Sequence, residues 1–252
     1  MTSEQADLSI VIPVHNGEDA LPCNLTAVAA WRRRQTRRTE VVLVDDGSGP
    51  AAARVLRDFV AGGEGAGFTL LRHDPNRGKG YAVVRGMLAA TGRHRVFTDA
   101  DLAYPIEEAA KVVAQLEAGS DVAVACRVLP ESRYLMSPSF FHYLYTRHLM
   151  SRAFNWAVRL TLLPGILDSQ AGLKGMTAAA AETVLPRLTI PGFGFDVELL
   201  YVARRLGLRV TQAAVNFRYD SEPTTVRFAG DAVTMLGDLL RIRWNSLRGR
   251  YR

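Results

Sequence analysis

Along the first half of the chain, short unbroken apolar runs alternate with longer stretches in which apolar residues recur every three to four positions. Leu8–Val14 (LSIVIPV) and Glu40–Val44 (EVVLV) are runs of the first kind, apolar on both faces, as strands buried on both sides of a sheet are. Phe68–Leu71, Arg95–Thr98 and Val122–Cys126 predict three more strands. Between them, Ala20–Arg34, Ala51–Val60, Gly80–Ala90 and Ile106–Ala118 predict helices, and the Gly-rich Ala61–Gly67 a loop. Strands alternating with helices at this spacing predict an α/β fold, with a mostly parallel central sheet covered by helices on both faces. Such sheets bind their ligands beyond the carboxyl ends of the strands. Three polar motifs fall at those ends: Asp45-Asp46, Asn76–Gly80 and Asp99–Asp101.

The second half is less regular. Ser137–Leu163 carries aromatic and basic residues at helical spacing, among them Phe140, Phe141, Tyr143, Arg147, Arg152, Phe154 and Trp156. Asp168–Met176 reads as a return toward the site, Phe195–Leu206 as a helix, Arg209–Asn216 as a strand, and Asp231–Leu247 as a basic amphipathic helix. No repeat or low-complexity linker divides the 252 residues, which predicts one domain.

Composition narrows the classes. At 48% hydrophobic and 22% charged, the chain can bury a substantial core. No apolar run approaches the roughly 20 residues of a bilayer span, and Ala153–Leu167 is broken by Arg159 and Pro164. Met1–Asp7 is polar and lacks a secretory pattern, so the expectation is a cytoplasmic protein, soluble or peripheral on a membrane. Cys23 and Cys126 stand in no metal-ligand spacing and read as reduced core thiols. Net charge is +6, and only Lys79, Lys111 and Lys174 among the 31 basic residues are not arginine. The planar guanidinium fork suits phosphate, although GC-rich coding explains the same bias. No nucleic-acid-binding signature is present, so nucleic acid is not expected as a partner.

Each motif has a chemical and a structural reading. Asp99 and Asp101, one residue apart after a buried strand, can converge on a hard cation such as Mg²⁺ or Mn²⁺. A cation there neutralises a diphosphate leaving group. Equally, Asp101 can cap a helix near Pro105. Asp45 and Asp46 can accept from a nucleobase or ribose, or shape an Asp-Gly-Ser turn. Asn76-Arg77-Gly78-Lys79-Gly80 offers backbone N–H groups and an ammonium to an anion, or is an exposed loop.

In order, Ile12-Pro13-Val14-His15-Asn16, Val44-Asp45-Asp46-Gly47-Ser48, Asn76–Gly80 and Asp99-Ala100-Asp101 resemble family 2 glycosyltransferases of the GT-A fold. Asp168–Lys174 and Gly194–Leu200 extend the resemblance to the polyprenyl-phosphate branch, dolichyl-phosphate glucosyl- and mannosyltransferases. That resemblance implies a single Rossmann-like GT-A domain, with a nucleotide-sugar half at about 8–127 and an acceptor half at about 128–252. It implies that Pro13, Val14, Asn16, Asp45 and Asp46 line the nucleotide site and that Lys79 lies near the donor. Asp99, Ala100 and Asp101 would serve the metal and diphosphate, with Gln170 completing the metal site. Arg127 would grip phosphate near the reacting centre. Two positions depart from the pattern: Gly17 stands where the family has Glu, and Thr224-Thr225 where it has Ser-Lys. The second departure leaves Arg218 or Arg227 to serve the acceptor.

The implied reaction is inverting transfer of a hexose from a nucleotide diphosphate sugar. UDP-glucose is favoured over GDP-mannose, and the acceptor is a polyprenyl monophosphate. A sugar hydroxyl acceptor needs a general base, for which Asp196 is the candidate; a lipid phosphate is already anionic and needs none. Asp196 can instead cap the helix that follows it. The Ser137–Leu163 segment, with Arg147, reads either as a basic amphipathic surface for an anionic membrane or as a packed helix. Transfer to a soluble acceptor and a non-catalytic nucleotide-sugar-binding module are the rival readings.

Overall fold

The computed structural model describes residues 6–136, 154–219 and 228–252. Five strands lie close to their predicted places: β1 (Leu8–Val14), β2 (Thr39–Asp46), β3 (Phe68–His73), β4 (His94–Phe97) and β5 (Val122–Cys126). Helices α1 (Leu21–Arg33), α2 (Pro50–Ala61), α3 (Lys79–Ala89) and α4 (Ala109–Glu117) alternate with them. Prolines sit in the first turns of α1 and α2, where a missing N–H costs nothing and a fixed φ helps.

Beyond β5 come β6 (Arg133–Met136), a helix α5 described over 154–161, β7 (Lys174–Thr177), α6 (Ala178–Val184), α7 (Phe195–Arg205), β8 (Val210–Ala214), β9 (Asn216–Tyr219) and α8 (Phe228–Leu247). Most of the aromatic and basic segment predicted over Ser137–Leu163 lies outside the described residues, as does Thr224-Thr225. The main sheet has seven strands in the order β3-β2-β1-β4-β7-β5-β8. β7 runs antiparallel between β4 and β5, and the other pairings are parallel. The predicted return toward the site is therefore a strand inserted into the middle of the sheet. Its first residue, Lys174, is paired with Phe97, the last residue of β4, and with Val124 in the middle of β5.

Two sequence expectations change. Arg209–Asn216 is two strands in different sheets: β8 pairs with β5, while β9 pairs with β6. The switch is fixed at buried Val215 and at its half-buried neighbour Asn216, whose backbone N–H groups donate to Ser132 Oγ at 3.1 Å and Glu108 Oε2 at 2.9 Å. Cys23 is not a core thiol. It lies on the outer side of α1, whose buried positions are Leu21, Leu25, Val28, Ala29 and Trp31; Cys126 is buried as expected. One hydrophobic core runs through both halves, from Ile10 and Leu43 to Leu199 and Ile242. Among the described residues no helix is long and apolar enough to cross a membrane.

Candidate active site

The carboxyl ends of β1 and β2 bring Pro13, Val14, Asn16, Asp45 and Asp46 together. Asn16, at φ 61°, donates its backbone N–H to Ser48 Oγ at 2.9 Å, and its Oδ1 accepts from Gly49 N at 2.9 Å. Asp45 is buried; it accepts from Ser48 N at 2.9 Å and pairs with Arg72, whose Nη2 also donates to Ser48 O at 3.1 Å. Asp46, equally buried, accepts from His73 Nε2 at 2.6 Å, Arg77 N at 2.7 Å, Gly78 N at 2.9 Å and Asn76 Nδ2 at 3.0 Å. Its carboxylate thus folds the Asn76–Gly78 loop around itself, and that loop delivers Lys79 at the start of α3.

Lys79 Nζ lies 2.5 Å from Asp99 Oδ1. Burial disfavours the ammonium, but Asp99, Asp196 and Asp101 together hold its pKa above the usual lysine range. Ala100 is anchored by its carbonyl, which accepts from Asn24 Nδ2 of α1 at 2.9 Å. Asp101 Oδ1 accepts from Ala103 N at 3.0 Å and closes a local turn. The turn of 3₁₀ helix after Pro105 has no side-chain cap, so Asp101 is not a helix cap. Desolvation first, and then the neighbouring Asp99 carboxylate, push Asp101 above the ordinary carboxylate range. Two acids this close, each disfavouring the other's charge, form a site short of positive charge.

The segment 168–173 closes the site. A Cβ on Gly172 would collide with Asp99 Oδ2, so only glycine lets this backbone lie against the carboxylate. Half-buried Gln170 is two residues away in the same segment. Among the described residues no three His, Cys, Asp or Glu side chains converge. Asp99 and Asp101 lie close enough to interact, and carboxylates are hard donors that suit Mg²⁺ or Mn²⁺ and not a soft metal.

Behind these acids runs a line of alternating charge. Fully buried Lys174 pairs with Asp196 and donates to Ala171 O at 2.6 Å. Burial outweighs the attraction for both partners, pushing Lys174 down and Asp196 up. Asp196 lies inside the first turn of α7 with Gly194 at the cap position, so it is not the helix cap. Asp168 follows: it accepts from Arg127 Nε at 2.7 Å, Arg127 Nη2 at 2.9 Å and Arg127 N at 3.1 Å. Burial alone would raise Asp168, but this bidentate guanidinium brings it below the usual carboxylate range. Arg218, exposed on β9, donates its backbone N–H to Ala103 O at 2.7 Å and so stands beside the Asp101 turn. Arg147 and Arg227 lie outside the described residues.

Sequence reasoning left Arg72, Asp168, Gly172 and Lys174 without roles of their own. A lysine and an acid within the fold-returning segment were the available signal.

A family model described as Glycosyl transferase family 2 matches residues 9–162. The chain belongs to that family and is a nucleotide-sugar-dependent glycosyltransferase of the GT-A fold. It is similar to a dolichyl-phosphate beta-glucosyltransferase of Dictyostelium discoideum, with 27% identity over 252 residues, covering 96% of this chain and 75% of the relative. The protein of the same name in Drosophila melanogaster is 32% identical over 226 residues, covering 85% and 68%. Among solved structures, glucosyl-3-phosphoglycerate synthase of Mycobacterium tuberculosis, in complex with Mn²⁺, UDP and glucosyl-3-phosphoglycerate, shares the fold. It has a TM-score of 0.65 at 18% identity and covers 94% of this chain and 80% of that one.

Proposed function

We propose that this enzyme transfers glucose from UDP-glucose to a polyprenyl monophosphate of the dolichyl type, with inversion at the anomeric carbon, at the cytoplasmic face of a membrane. The observation that carries the reading is the juxtaposition of the Asp99–Asp101 pair with Lys79 and the 168–173 segment. It occurs in a chain that resembles dolichyl-phosphate beta-glucosyltransferases over most of its length.

In this reading an acceptor phosphate oxygen attacks the anomeric carbon as the bond to the donor diphosphate breaks and UDP leaves. Asp99, Asp101 and Gln170 would hold a divalent cation such as Mg²⁺ or Mn²⁺, which would supply Lewis-acid neutralisation of that diphosphate. Lys79, kept charged by three surrounding acids, adds a fixed cation next to Asp99. On the acceptor side, Asp168 occupies Nε and one Nη2 hydrogen of Arg127 and aims the rest of the guanidinium. Arg218, on the strand beside Ala103, is a second cation for the acceptor phosphate. A phosphate monoester is already a nucleophile, so the reaction needs no base. That agrees with Asp196 being buried and engaged by Lys174; its part is to neutralise Lys174 and support Lys79.

Labelled UDP-glucose and GDP-mannose, each offered with and without polyprenyl phosphate and with Mg²⁺ or Mn²⁺, test the proposal. It expects organic-extractable label from UDP-glucose and polyprenyl phosphate together. Label found only in a water-soluble glycoside would overturn it.

A further inference from the structure

We propose that the outer face of α8 docks this enzyme on an anionic lipid surface, an inference that deepens the proposed lipid-phosphate reaction. Leu236, Leu240, Trp244 and Leu247 are 52%, 75%, 55% and 73% exposed. Spaced four, four and three residues apart, they form one stripe along the helix. The opposite face is packed among the described residues. Leu239 and Ile242 enter the core, and Ser246 Oγ accepts from Tyr201 OH of α7 at 2.7 Å. Asp238 packs against Gly194, where an added Cβ would collide with its carboxylate. α8 is therefore anchored on one side and presents leucine and tryptophan to solvent on the other.

Charge selects the occupant. Arg241 and Arg243 line the shallow apolar depression formed by Leu240, Trp244 and Leu247, and Arg248 stacks its guanidinium 4.4 Å from the Trp244 ring centre. The only carboxylates of α8 are Asp231 and Asp238, and Asp238 is turned inward. Arg241 is already turned to Thr189 O, to which it donates at 3.1 Å, and lies within reach of Asp238; a second copy docking by the same face would set Arg243 and Arg248 against their own counterparts. An anionic bilayer answers both features. Its headgroups attract the arginines, and the interfacial region accepts leucine and tryptophan side chains. The inner face of α8 touches the start of α7, which carries Asp196 toward Lys174 and Lys79. Docking on α8 would hold the transfer site near a lipid-borne phosphate.

Cosedimentation of the full chain with vesicles of phosphatidylcholine, alone or mixed with phosphatidylserine, tests this directly. The expected result is binding to the anionic vesicles that weakens with salt, and a loss of about tenfold or more in the double variant Leu240→Glu, Trp244→Glu. That variant should keep its thermal midpoint and its transfer to detergent-dispersed polyprenyl phosphate, because both side chains are more than half exposed and neither belongs to the core. A milder Leu240→Ser, Trp244→Ser variant guards against a folding defect. Unchanged vesicle binding in both variants would overturn the proposal. So would equal binding to neutral vesicles, or a dimer in sedimentation velocity that the variants dissociate. Transfer in detergent reads the reaction separately, so loss of that activity in the wild type counts against the function and not against the docking face.

Discussion

At Arg127 and Asp168 a guanidinium still 23% exposed holds a buried carboxylate, and each depends on the other. Removing one partner of a buried pair costs about 3–5 kcal/mol, because the remaining charge keeps its desolvation penalty. Arg127→Met should lower unfolding stability at neutral pH by that order, measured by urea denaturation. The sign with pH should also reverse. In the wild type, Asp168 lies below its ordinary value, so its contribution is present above the unfolded pKa and is lost as pH falls through the folded one. Without the arginine, burial pushes Asp168 up, and part of the lost stability should return on mild acidification. Gly172→Ala acts on geometry instead. Its Cβ would displace the Asp99 carboxylate, and a misplacement of about 1 Å costs on the order of a hundredfold in rate. kcat/KM should fall to that extent while the thermal midpoint changes little.

Elements meet here through a few buried polar junctions. Glu198, fully buried on α7, accepts from Thr189 Oγ1 at 2.6 Å, Thr189 N at 2.8 Å, Ile190 N at 2.9 Å and Tyr251 OH at 2.6 Å. That junction clamps the residues after α8 to the turn before Pro191, whose carbonyl accepts from Tyr81 N of α3 at 3.2 Å. The Tyr251 hydroxyl is pushed up to about 12 by burial and by its bond to Glu198, so it remains a donor through the neutral range. Tyr251→Phe should cost about 1.5–3 kcal/mol, the worth of a hydrogen bond to a charged group. Differential scanning calorimetry should register this as a drop of several degrees. Glu198 and Asp196, two positions apart, reach opposite sides of α7, as their spacing predicts.

Across the whole molecule, charges alternate from Asp101 and Asp99 through Lys79, Asp196, Lys174 and Asp168 to Arg127. A cation added at one end meets a network already near balance. The acids at the open end, with Asp101 held up by desolvation and by Asp99, are the part short of positive charge. Chelation with EDTA should abolish transfer, and Mn²⁺ or Mg²⁺ should restore it. Far-UV circular dichroism should stay unchanged, because the core from Ile10 to Ile242 does not depend on the metal site.

The sequence alone was sufficient for the first five strands, four intervening helices, and the positions of Asp45, Asp46, Asp99 and Asp101 at strand ends. Local periodicity and chain order determine those features, and both are properties of neighbours along the chain. Family resemblance added Gln170 and Arg127. Tertiary structure alone decided that β7 enters antiparallel between β4 and β5, which delivers Lys174 to Asp196 and Gly172 to Asp99. It also split Arg209–Asn216 between two sheets, and turned Asp45 and Asp46 from free acceptors into carboxylates already filled by Arg72, His73 and the Asn76–Gly78 loop. These outcomes depend on which distant segments pack together, and no short window of residues contains that information. The Asp99–Asp101 pair could be placed from the sequence; the charges that surround it could not.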